Sequence, residues 1–131
     1  MTNSINTEIV VRDGHQAIIK GDANATVCDG GRVLVIDGGI AHIYTGAYGK
    51  AMNGGMVAIT DGGNADVYDG GCASVHHGGR VLVHDGGEAY VCDRGEAYVL
   101  AGGHAYVLAG GHAIIDDGGT YTAEEGAIIS K

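Results

Sequence analysis

The stretch Gly30-Gly31-Arg32-Val33-Leu34-Val35-Ile36-Asp37-Gly38-Gly39 states the rule that the whole chain follows. A glycine pair opens a short alternating run, an acid closes it, and the pair returns eight residues on. Outward from there, pairs fall in the same register at Gly54-Gly55, Gly62-Gly63, Gly70-Gly71, Gly78-Gly79, Gly86-Gly87, Gly102-Gly103, Gly110-Gly111 and Gly118-Gly119. Degenerate versions stand at Gly46-Ala47, Arg94-Gly95 and Gly126-Ala127. The unit reads GGxAxVxD, and from Asn6 it runs to the end of the 131 residues. A fixed short period marks a repeat architecture in which each unit buries its apolar side only by stacking on neighbours. One unbroken repeat over 1–131 predicts a single domain.

Within the octad, the fourth and sixth positions are small or β-branched, as in Val33/Val35, Ala65/Val67 and Ala89/Val91. Alternation with a period of two predicts a half-buried strand. The glycine pair, with Asp before it, predicts a sharp corner. No stretch carries a helical period. An antiparallel meander with two-residue loops would set the polar seventh position opposite the apolar fourth, against the parity of a sheet face. A parallel β-solenoid stacks like on like and has no such conflict. At the fourth position the large residues Ile9, Val33, Val57, Val81 and Ile129 are separated by multiples of 24. That spacing predicts an all-β, triangular coil of 24 residues, three octads per turn, and about five coils stacked at about 4.8 Å.

Composition narrows the function. There is no Pro, Phe or Trp, so the expected core is a column of Ala, Val and Ile. Met1 to Ile5 is short and polar and no apolar run reaches membrane-spanning length, so neither a leader nor a membrane partner is expected. Three cysteines, Cys28, Cys72 and Cys92, are an odd number, and reduced thiols in a cytoplasmic protein of a bacterial or phage-infected cell are the expectation. The formal charge of −9 disfavours direct nucleic-acid binding and favours a basic protein partner; it is also an ordinary aid to solubility.

In a triangular coil the acids fall into ridges: Asp13, Asp37, Asp61 and Asp85 on one corner, and Asp69, Asp93 and Asp117 on another. Two readings stand for these carboxylates: each caps its own turn amides, or together they present a charged ridge to a partner. The second reading is similar in logic to the DNA-mimicking pentapeptide-repeat β-helices, and to small phage-encoded anti-CRISPR inhibitors. The resemblance implies an inhibitor that blocks a nucleic-acid-binding protein; it covers architecture only, since the period here is eight and the pentapeptide Leu/Phe centre is absent. The calcium-binding RTX repeat, GGxGxDxUx, differs in length and in the place of its Asp, so no calcium or other cofactor is expected.

The same coil gathers an apolar stripe edged by arginines, Val10, Leu34, Ile36, Met56, Leu82, Tyr106 and Leu108, as a surface for self-association into a homodimer. It puts Tyr90, Tyr98 and Tyr106 on three different sides and stacks Tyr44 with Tyr68. The seven histidines share no column, and Ser4, Ser74 and Ser130 have no base in reach, so neither a metal site nor an enzyme is expected. The leading expectation is a non-catalytic acidic binder. The alternative is a structural segment of a self-associating fibre or assembly.

Overall fold

The computed structural model describes residues 8–21 and 23–130; the polar opening stretch 1–5 lies outside them. Each octad contributes one strand at its third to sixth positions. The series runs from β1 (Glu8–Val11), β2 (Gln16–Ile19) and β3 (Asn24–Val27) in steps of eight to β15 (Thr120–Ala123) and β16 (Ile128–Ser130). Odd strands make one eight-stranded parallel sheet and even strands another. The parallel β-solenoid stands.

The triangular coil does not. Val33 is paired with Ala17 on one side and Gly49 on the other, sixteen residues away each time, and with neither Ile9 nor Val57. A coil therefore holds two octads, and the described residues make about eight coils rather than about five. The corner explains why. Gly39 donates its N–H to the Ile36 carbonyl at 2.9 Å, closing a four-residue turn. Its central residues, Asp37 (φ 50°) and Gly38 (φ 89°), are both left-handed, as in a type I′ turn. Such a turn reverses the chain, which leaves room for two sides and not three. Left-handed φ is tolerated best by Gly, then by Asp, Asn and His. Asp13, Asp29, Asn53, Asp61, His77 and Asp93 fill that same place with φ between 41° and 54°.

The second glycine of each pair answers a different need. Consecutive strands run in opposite directions across the interior, so the sixth position of one sheet lies over the second position of the other. A Cβ on Gly63 would stand 2.9 Å from Ile43 Cγ2, and one on Gly79 would stand 2.7 Å from Ile59 Cγ2. A large residue meets a bare one at this level, and at the fourth position small residues predominate, with Val33, Val57 and Val81 among the larger ones. The result is a thin, dry core of Ala, Val and Ile, with no buried polar side chain among the described residues.

The period of 24 has its explanation here. Val33, Val57 and Val81 alternate between the even, odd and even sheets. Val57 is flanked by Ala41 and Ala73, and Val81 by Ala65 and Ala97. In a close-packed interior, extra bulk at one level has to be matched by small residues around it. The spacing reports how bulk is distributed, not the length of a coil. At the far end Tyr121 packs against the core, as its size at a small-residue position suggests.

Candidate interaction surfaces

Redrawing every column at sixteen residues rearranges the predicted sites. The ridge Asp13, Asp37, Asp61, Asp85 breaks up, because steps of 24 alternate between opposite corners. Asp13, Asp61 and Asp93 stand on the corner that follows the odd strands, with Asp29 beside Asp13. Asp37, Asp69, Asp85 and Asp117 stand on the corner that follows the even strands, interrupted by Asn53 and Ala101. Asp69 and Asp85 occupy neighbouring coils. All of these acids are exposed.

The turns satisfy one another along the rod. Asp13 N–H donates to the Asp29 carbonyl at 2.9 Å, Asp37 N–H to Asn53 at 3.0 Å, and Gly70 N–H to Gly86 at 3.2 Å. Among the described residues no Asp carboxylate accepts a turn amide, so capping does not account for these acids. Where φ is positive, the backbone itself explains Asp. Asp69, Asp85 and Asp117 are not in the left-handed region, so nothing in their turns calls for a carboxylate.

The apolar stripe divides as well. Val10, Met56, Tyr106 and Leu108 lie on the outer face of the odd sheet, whereas Leu34, Ile36 and Leu82 lie on that of the even sheet. Arg12 goes with the first group, and Arg32 and Arg80 with the second. The predicted pairing of Tyr44 with Tyr68 fails for the same reason, since they face opposite ways. Tyr90 and Tyr106 instead share the odd face and stack at 4.8 Å, with Tyr98 on the other side. Tyr68 stacks on His84 with ring centres 4.2 Å apart and ring planes nearly parallel. A search at a spacing of sixteen would have found both pairs.

Two polar groupings escaped the sequence reading. On the odd face, Cys92 Sγ lies 3.0 Å from His76 Nδ1 in the next coil. Burial, helped by Asp93, holds the Cys92 thiol above its ordinary value, so at neutral pH the proton stays on sulfur. On the even face, Tyr48 Oη donates to Asp66 Oδ2, while His84 Nε2 lies 3.5 Å from Asp66 Oδ1. Next to this, Arg80 and His112 hold Glu96 at 3.2 and 3.6 Å. Among the described residues no three His, Cys, Asp or Glu side chains converge as a metal site would require.

Burial, then the Asp66 hydrogen bond, raises the Tyr48 hydroxyl well above its ordinary pKa of 10.0. The neutral phenol is the form the fold favours. Its stabilisation is therefore complete below the ordinary tyrosine range and is lost as pH climbs through the raised value. Two outcomes are expected. In an absorbance titration of the folded protein, Tyr48 lags in alkali, further than Tyr90, whose hydroxyl is also raised. Tyr48→Phe abolishes that lag and costs about 1 kcal/mol at neutral pH, measured by urea unfolding.

No family model matches this chain, and no curated protein matches it. Among solved structures it is similar to the crystal structure of a hyper-glycosylated TibA fragment, whose modification TibC catalysed, at 20% sequence identity and a TM-score of 0.39. The likeness covers 95% of this chain and 70% of that one.

Proposed function

We propose that this chain is a non-catalytic binding rod whose corner carboxylates engage a basic protein surface built to hold nucleic acid, and so block it. The observation that carries the reading is the set Asp69, Asp85 and Asp117: exposed, on one edge, without a turn amide to cap and without a left-handed φ to explain them. Neighbouring coils lie about 4.8 Å apart. Carboxylates that close repel one another unless a cation relieves them. The two acidic edges are separated by the width of a strand, roughly 16 Å for five residues. That is of the order of the DNA major groove, about 12 Å wide.

The test uses the immobilised rod and purified basic nucleic-acid-binding proteins. Binding is expected to weaken steeply with salt and to be competed by double-stranded DNA. Asp69→Asn, Asp85→Asn and Asp117→Asn together are expected to weaken it at least about tenfold, about 1.4 kcal/mol, with an unchanged circular dichroism spectrum. Full retention by the triple variant, or indifference to DNA, would overturn the reading. A second reading, a segment of a self-associating assembly, is favoured by the exposed apolar side chains Val10 and Ile18, at 59% and 62% exposure.

A further inference from the structure

The outer face of the even sheet is self-complementary, and we infer that it is the contact between two copies of this chain, packed face to face with their rods antiparallel. This does not depend on the proposed function, because the corner carboxylates stay outside the contact.

Charge is distributed unevenly along this face. Its first three coils present Lys20, Arg32 and Lys50, all exposed, and no acid. The acids Asp66, Glu96 and Asp116 all come later, together with one further cation, Arg80, which is paired with Glu96 in its own chain. Two symmetric ways exist to close such a face on itself. With the rods parallel, every residue at the centre of a strand meets its own copy, so Lys50 meets Lys50 and Asp66 meets Asp66. Like charges in contact across an interface are costly.

With the rods antiparallel, the two-fold axis runs along the strands. Each outward column then meets the same column of the second copy in reverse order. Centred on the coil that contains Asp66, this places Lys20 opposite Asp116 of the second copy and Arg32 opposite Glu96, each pair occurring twice. Lys20 and Asp116 are exposed, and neither forms an ion pair within its own chain among the described residues.

The apolar side chains agree with that register. Ile18 falls opposite Ile114, and Leu34 opposite Tyr98. A hollow of about 600 Å³ bordered by Ile18, Arg32 and Leu34 faces the Tyr98 ring of the second copy. Only the central coil meets itself: Asp66 faces Asp66 in this packing too, each already tied to Tyr48 and His84 of its own chain, while Lys50 faces Leu82 and no longer its own copy. The odd face offers fewer charges: among its described side chains Arg12 is the one Lys or Arg, and its reversal would bring together a single kind of opposite-charge couple, Arg12 with Glu124. The even face measures about 13 Å by 30 Å from strand geometry, about 800 Å² counted over both copies, which is the size of a weak, transient dimer and not of a permanent one.

The experiment is sedimentation equilibrium of the full chain across the micromolar range. The wild type is expected to be a monomer–dimer equilibrium that weakens with salt. Lys20→Asp alone and Asp116→Lys alone are each expected to raise the dimer Kd at least about tenfold. The double variant K20D/D116K restores the pairing with its signs exchanged, and its Kd should return to near the wild-type value. A monomeric wild type, or a dimer indifferent to both single reversals, overturns the inference. So does a double variant no tighter than the singles, which would rule out the antiparallel register.

Discussion

Gly79→Val is expected to destabilise the rod by about 3 kcal/mol or more, seen as a lower urea midpoint and as lost amide protection around the coil of Ile59. Gly79 has an ordinary backbone conformation, so left-handed strain plays no part. What is missing is space. A Cβ there would lie 2.7 Å from Ile59 Cγ2 and 2.9 Å from the Ile59 carbonyl oxygen. That oxygen cannot retreat freely, because it accepts the His76 N–H at 2.9 Å. Relief would mean parting two coils, and in a solenoid that damages the nearest-neighbour contacts from which stability is summed. The buried Ala47, at the equivalent place in its own octad, marks the limit: one methyl is accommodated there. Ala47→Gly should accordingly cost less than about 1 kcal/mol.

Ile59→Ala is the complementary loss, expected to cost about 3 kcal/mol within the usual range of 2 to 5. Ile59 is fully buried and stacks between Ile43 and Val75 in the odd sheet, facing the Cα of Gly79. With so thin a core there is no second layer to collapse into the gap. Because the two positions touch, their effects should not add. The double variant I59A/G79A is expected to be more stable than the sum of its singles by at least about 0.5 kcal/mol, since the space that Ile59 vacates receives part of the new methyl. Strict additivity in chemical denaturation would show that the two residues do not meet across the interior.

These two positions also show why sequence reading went astray on the coil. The branched sixth position and the bare second position recur in most octads, with Ala51 and Ala47 among the exceptions, yet neither says which octad faces which. The regular return of Val33, Val57 and Val81 looked like a stacking period. It records instead how bulk is spread between two sheets whose small residues must surround each large one. The turn chemistry was the better guide. Asp37-Gly38 with both φ values positive is a reversal, and a chain reversed at every corner has only two sides.

What the linear order determined was local: strands at the third to sixth positions of each octad, glycine corners, parallel stacking and an interior of Ala, Val and Ile. Each follows from alternation, left-handed tolerance and parity, which act over a few residues. Only the tertiary structure decided that residues sixteen apart are neighbours. With that it decided that the Asp residues divide between two edges, that Tyr90 lies on Tyr106, and that Lys20, Arg32 and Lys50 share one face. Those outcomes depend on how far each corner turns the chain and on the fit of side chains across the core. Both are properties of the closed coil, and no single octad contains them.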